Sequence, residues 1–381
     1  MIRTSLCAAA CAVAVFGAAA QVRVGVTVSS SGPQASLGIP EVNAVALLPR
    51  TIGSTTIDYT VLDDASDPTR AVLNVRKLID QSHVDLVIGS STTPNTLAMI
   101  DPAAEGQTPV ISLGSSARLV EPQDAKRRWI FKTPHSDSQM ASSILEHFVA
   151  HGGHALAYIG FNNALGEAFW EQISLYAGAR KVEIVASERF APTDASVTAQ
   201  ILKIVAAHPD GVVIGASGTP AVTPARALAD RGFKGAIYFN HGVSNRDFLA
   251  LCGSACEGAF VPTGPIMVAA QLSADVPSRA EALRFAQRYD ARYGAGSVNL
   301  FAAYTNDIGL LLERAVPVAL QGGAAPGTAA FRAALRDALE QIRNLTTSTG
   351  VVNMSPTDHV GLDQRSRVMV QIHDGGWRLA R

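Results

Sequence analysis

Charge, aromatic side chains and cysteine are all scarce in this chain. Of its 381 residues, 17% are charged and 6% aromatic, with 31 Lys and Arg against 32 Asp and Glu. That near-balance leaves no basic run beyond Lys126-Arg127-Arg128, which argues against nucleic acid as a partner. After residue 20 no apolar run approaches the roughly 20 residues that a membrane helix needs. Catalytic signatures are missing too. The chain has no phosphate-loop lysine motif and no Gly-x-Gly-x-x-Gly following a strand. Gly215-Ala216-Ser217-Gly218-Thr219 lacks the final glycine of a hydrolase elbow. No cofactor and no enzymatic activity are expected.

What is present begins at the start of the chain. Arg3 supplies a positive charge, Leu6 to Phe16 is an apolar run too short to span a bilayer, and Ala18-Ala19-Ala20 precedes Gln21. That is the form of an export signal covering residues 1–20. Its removal takes away Arg3 and no acid, shifting the formal charge from −1 to about −2. Cys7 and Cys11 would leave with it, so only Cys252 and Cys256 of the four cysteines remain. An oxidising compartment favours a local disulfide between them, with a pair of buried thiols as the alternative. A zinc half-site is disfavoured, because no second cysteine pair completes it.

The length exceeds what one hydrophobic core supports, so two lobes are expected. Strand-like segments follow in series: Val22–Val28, Ile57–Asp63, Leu86–Gly89, Pro109–Leu113, Ile130–Lys132, Ala155–Gly160, Glu183–Ser187, Gly211–Gly215, Ala236–Asn240 and Ala259–Pro262. Amphipathic stretches lie between them, at residues 67–81, 94–106, 137–151, 166–178, 195–207 and 223–231. The alternation predicts an α/β protein built on parallel sheets.

The strand ends carry a common chemistry. Ser29-Ser30-Ser31 follows the first strand, Ser90-Ser91-Thr92-Thr93 the third, Gly114-Ser115-Ser116 the fourth, Ala216-Ser217-Gly218-Thr219 the eighth and His241-Gly242 the ninth. Ligands of doubly wound sheets sit at the carboxyl ends of the strands, where helix N-termini direct N–H groups at an anion. Ordinary N-capping accounts for any single loop. The whole series points to a site for a small carboxylate. His147, His151 and His154 share helical spacing beside Glu146, but Gly152-Gly153 ends that helix. Histidines near a helix C-terminus meet its negative end, so no metal is expected there. Trp170, Tyr289, Tyr293 and Tyr304 are read as packing residues.

Ser31-Gly32-Pro33-Gln34-Ala35, Leu62-Asp63-Asp64-Ala65-Ser66-Asp67-Pro68, Val87-Ile88-Gly89-Ser90-Ser91-Thr92 and Pro109-Val110-Ile111-Ser112 together resemble the leucine/isoleucine/valine-binding family. These are type I periplasmic solute-binding proteins of ABC importers. Phe131-Lys132-Thr133, Asp137-Ser138-Gln139, Glu257-Gly258-Ala259-Phe260, Phe301-Ala302-Ala303-Tyr304 and Gly375-Gly376-Trp377 carry the resemblance to the end of the chain. It implies two Rossmann-like lobes joined by three crossovers, near Thr133–His135, Pro262–Pro265 and Thr346–Ser355. One lobe would comprise residues 21–134 plus 265–345, the other 135–264 plus 346–381. Asp63-Asp64 would support the fold.

The resemblance also implies ligand residues. Thr93, Gly114 and Ser116 match the positions that hold a ligand carboxylate, with Ser91, Thr92 and Ser115 beside them. Asn163, Ser217 and His241 would close from the other lobe. Ser31, Leu37, Asp137, Phe161 and Leu165 are further candidates, and Phe161 and Phe169, which flank the loop around Asn162-Asn163, are expected to reach the cleft. The family's acid for the ligand ammonium corresponds here to His241, which removes the charge partner of an α-amino group. A capping or solvent-facing histidine is the alternative for that residue. The expected ligand is therefore an aromatic or aliphatic carboxylate rather than an amino acid, delivered by a periplasmic monomer to a membrane permease. An exported sensor for a signalling partner is the second expectation; a doubly wound α/β enzyme is the rival from another class.

Overall fold

The computed structural model describes residues 21–380. The proposed export signal lies outside them. Two sheets form the frame. The first has the order β2-β3-β1-β4-β5-β6, with β1 (Gln21–Val28), β2 (Thr51–Ile52), β3 (Thr55–Asp63), β4 (Leu86–Gly89), β5 (Val110–Ser112) and β6 (Ile130–Lys132). All its pairings are parallel except β2 with β3. The second has the order β15-β14-β11-β10-β9-β7-β8. It contains β7 (Ala155–Phe161), β8 (Glu183–Phe190), β9 (Gly211–Gly215), β10 (Ala236–Phe239) and β11 (Phe260–Thr263) in parallel. After the short ribbon β12 (Leu345–Thr346) and β13 (Val351–Val352), β14 (Val368–His373) and β15 (Gly376–Leu379) add antiparallel strands at its edge.

The fully buried run Leu86-Val87-Ile88 shows why these strands are apolar on both faces, since helices cover each side of the sheet. The first core joins β1, β4 and β5 to the helices Leu300–Gln321 and Ala329–Glu340, through Val24, Val26, Ile88, Ile308, Leu312 and Leu335. Two further clusters pack the opposite faces of the second sheet. The chain thus forms two α/β lobes, the type I periplasmic binding protein architecture. Its third passage between lobes lies beyond the expected 346–355. Val352, Met354, Val360 and Leu362 are buried in the first core, so the chain departs only after Leu362.

Asp64 braces the first sheet's carboxyl edge. Its oxygens accept from Ser29 Oγ at 2.7 Å, Ser90 Oγ at 2.6 Å and Asn95 Nδ2 at 2.9 Å, tying three segments together. Cys252 and Cys256 are joined by a disulfide with a Cα–Cα distance of 5.7 Å. It closes a very short loop, for which chain entropy supports about 2 kcal/mol of stability. The double substitution Cys252→Ser with Cys256→Ser is expected to lower the unfolding free energy measured in urea by that modest amount and leave ligand affinity within twofold.

Candidate functional site

In the first sheet β1 is flanked by β3 and β4, so the chain turns outward in opposite directions from this point and leaves a crevice at the strand ends. The second sheet has the equivalent point between β7 and β9. The two crevices face each other and enclose a chamber. Its wall takes Leu37, Ser91, Thr92, Thr93, Leu113 and Ser115 from the first lobe. Leu165, Ser217, Asn240, His241 and Gly242 come from the second, while Pro134, Phe301 and Tyr304 complete it. The enclosed volume is about 30 Å3, space for about two water molecules. A second chamber of about 280 Å3 adjoins it at the cleft mouth, lined by Pro33, Pro68, Pro94, Phe161, Asn163 and Pro192 among others. Thr92, Leu165 and Ser217 belong to both. A larger groove beside His147, His151 and Arg378 takes its wall from the second lobe apart from Gln271, which itself bonds to Trp377 and Leu379 of that lobe. Lobe closure therefore cannot enclose a ligand there.

Local folding explains the polar groups on the inner wall. Thr92 caps the helix Thr93–Glu105, its hydroxyl accepting from Asn95 N–H at 3.4 Å, while Pro94 starts the helix without needing a donor partner. Thr93 Oγ1 accepts from Ser116 N–H at 3.4 Å, which leaves its own proton available to a ligand. Ser91 Oγ accepts from Ser29 N–H at 2.9 Å and donates to the buried Glu41 carboxyl. Burial raises Glu41 well above the usual carboxylate range, against the opposing pull of the Ser91 hydroxyl.

From the opposite lobe, Asn240 Oδ1 accepts from Gly242 N–H at 2.8 Å and thereby shapes the turn that carries His241. The His241 ring is buried and its Nδ1 has no hydrogen-bond partner among the described residues. Burial, followed by the neighbouring His135 and Lys132, pushes this imidazole well below its ordinary range. It is neutral at physiological pH. Direct contacts also cross the cleft: Ser217 Oγ donates to Gln34 Oε1 at 2.6 Å, and Gln34 Nε2 donates to the Ser217 carbonyl at 3.3 Å.

A hydroxyl-lined chamber between two hinged lobes is a trap for a small molecule, and sequence comparison agrees. Residues 21–376 match a family model described as periplasmic binding protein. This chain belongs to that family. Among solved structures, an extracellular ligand-binding receptor from Rhodopseudomonas palustris HaA2 is 42% identical, with a TM-score of 0.91 over 95% of this chain and 100% of that one. A second receptor from the same organism is 37% identical with the same TM-score and the same coverage of both chains. An isoleucine-bound branched-chain amino acid transporter substrate-binding protein from Streptococcus pneumoniae shares the fold at 20% identity. Its TM-score is 0.79 over 95% of this chain and 99% of that one. No curated protein sequence matches. Proteins of this family bind ligands without transforming them.

This periplasmic binding protein brings together Ser91, Thr92, Thr93, Ser115, Ser217, His241, Leu37 and Leu165 around the inner chamber. Phe161 and Asn163 line the outer one, where Asn163 Oδ1 also caps its helix through Leu165 N–H at 3.0 Å. Four candidates, Gly114, Ser116, Asp137 and Ser31, lie elsewhere. Gly114 N–H is spent on Ser112 Oγ at 2.9 Å. Ser116 Oγ donates to Asp137 Oδ2 at 3.0 Å, so both residues serve the hinge rather than the wall. Ser31 is exposed and bonded to Asp63. Phe169, expected at the cleft, is buried in the second lobe's core. Tyr304 corrects the packing assignment in the other direction: it lines the chamber and its hydroxyl lies 3.0 Å from His135 Nδ1. With Phe301 it occupies one face of a helix at i, i+3 spacing, a signal already present in the Phe301–Tyr304 motif. His147 and His151 stack at 4.0 Å, and with His154 they form no three-ligand group among the described residues.

Proposed function

We propose that this periplasmic binding protein is exported by its first twenty residues, traps a small organic carboxylate without an α-amino group, and presents it to the permease of an ABC importer. One observation carries the ligand class: the inner chamber holds hydroxyls and a neutral histidine, and among the described residues no carboxylate lines it. An ammonium enclosed there would lose its hydration without an anionic partner, at several kcal/mol. Micromolar binding amounts to about 8 kcal/mol in total, so that loss is decisive. The Thr93 hydroxyl proton and the helix N-terminus behind it suit a carboxylate. The apolar outer chamber, continuous through Leu165, suits the body of an aromatic or branched aliphatic acid. Ligand contacts to both lobes then favour the closed form.

Thermal unfolding with leucine, benzoate and 4-methylvalerate tests this. An acid present at a hundredfold excess over its Kd adds about 2.7 kcal/mol of apparent stability. At least one of the two plain acids is expected to raise the melting temperature, and leucine is not. A response to leucine alone would refute the ligand class.

A further inference from the structure

Lys132 is a buried cation without an ion-pair partner. Its side chain is fully inaccessible, and no carboxylate oxygen lies within 4.0 Å of its ammonium among the described residues. Nζ donates to the Ser115 carbonyl at 2.9 Å and the Pro134 carbonyl at 2.8 Å. An ammonium has three donors; these two neutral acceptors leave it without a direct ion pair, held only by the longer-range attraction of Asp137, Glu121 and Asp358. A buried charge of this kind costs several kcal/mol unless an anion comes close.

The surroundings narrow where that anion can come from. The acids nearest in effect are Asp137, Glu121 and Asp358. Asp137 is committed to Ser116 Oγ and the N–H groups of Ala117 and Ser138. Asp358 is committed to the N–H groups of Val360 and Gly361. Burial moves Glu121 toward its neutral form. His135 and His241, the remaining titratable neighbours, are neutral. By contrast Ser115 and Pro134, whose carbonyls hold the ammonium, both line the inner chamber. The cation therefore sits one residue behind the ligand wall, in a medium that screens weakly.

We infer that Lys132 is the counter-charge of the bound ligand: it selects a carboxylate over a neutral isostere from behind the wall, holding Ser115 and the hinge residue Pro134 in place as it does so. This deepens the proposed function and rests on its carboxylate. It is separable from the claim about the α-amino group.

The test pairs each acid with its amide: benzoate with benzamide, 4-methylvalerate with 4-methylvaleramide, and leucine with leucinamide. Calorimetry on the wild type is expected to show at least a hundredfold preference for the acid in the pair that binds. Lys132→Met, nearly isosteric and neutral, should shrink that preference at least tenfold. An unchanged ratio in a folded variant overturns the inference. A purely structural lysine would weaken acid and amide alike. If the variant does not fold, the wild type alone decides. Lys132 is held down to about 8 by burial, so it loses its charge as pH rises past that value, while Tyr304 is held above its ordinary range. Acid affinity should fall at least fivefold between pH 7 and 9.5, and a flat profile overturns the inference. If leucine is the acid that binds, the ligand class fails while Lys132 is still judged on leucine and leucinamide. No preference for any acid overturns both.

Discussion

Gly218→Val is expected to hold the lobes apart and weaken ligand binding at least a hundredfold, about 3 kcal/mol. Gly218 follows β9 on the second lobe with φ +65°, a conformation that L side chains rarely adopt. A Cβ at this position would lie 2.9 Å from Ser36 Oγ, 3.1 Å from Leu37 Cδ1 and 3.4 Å from Gln34 Oε1, all on the first lobe. Branched methyl groups extend that conflict across the chamber wall where Ser217 and Gln34 bond. Part of the damage is local, since φ 65° with ψ −161° is an essentially glycine-only conformation that costs other residues about 1–3 kcal/mol. The closing surface takes the rest. Small-angle scattering separates the two effects. The wild type should become more compact on adding a bound acid, whereas the valine variant should keep an open profile with and without it. Wild-type affinity in Gly218→Val would show that the cleft does not need this approach.

Acidification should destabilise the unliganded protein through His135. The ring is fully buried among both lobes, with Nε2 2.8 Å from the Ser366 carbonyl and Nδ1 3.0 Å from the Tyr304 hydroxyl. A carbonyl can only accept, so Nε2 carries the proton and Nδ1 accepts from Tyr304. Burial holds the group down to about 4, against an ordinary value near 6.5. Between those values the unfolded chain binds the proton and the folded one does not. Stability is therefore whole above pH 6.5 and is lost as pH falls toward 4, by about 3 kcal/mol in all. His241 acts in the same direction, and Glu41, raised by burial, acts in the opposite one. The clean measurement is a difference. Urea midpoints of the wild type should drop more steeply from pH 7 to 4.5 than those of His135→Gln. Parallel slopes would remove His135 from the account.

The strands could be read from the chain because each is a short apolar run closed by a hydroxyl or glycine loop. Leu86–Gly89, Ile130–Lys132 and Gly211–Gly215 agree with the expected limits to the residue. The two C-terminal strands and the helix Leu300–Gln321 were not delimited. That helix is apolar around most of its circumference, with buried residues from Leu300 through Ala319, so it shows little of a single-sided pattern. For the site, sequence position located the right loops but not which atoms inside them remain free. Thr93 keeps a free hydroxyl proton at the chamber, whereas the Ser91 hydroxyl is spent on Ser29 and Glu41, and Gly114 and Ser116 are consumed by Ser112 and Asp137. Ser112 lies two residues from Gly114, but Asp137 is 21 residues from Ser116, beyond the reach of a local pattern. Lys132 was legible only as part of a motif. Its missing counter-ion is a property of three dimensions.

The passage of the chain between its lobes has a consequence for assembly. Buried residues of the first core run from Val22 to Leu362, and those of the second sheet reach Ile372. No fragment lacking the last hundred residues contains a finished half, because the helices that cover the first sheet arrive late and β14 arrives later still. Both halves must wait for nearly the whole polypeptide and then mature together. Contacts of such long sequence separation form slowly. A nascent or truncated product would expose bare sheet faces, a natural target for holding chaperones and proteases.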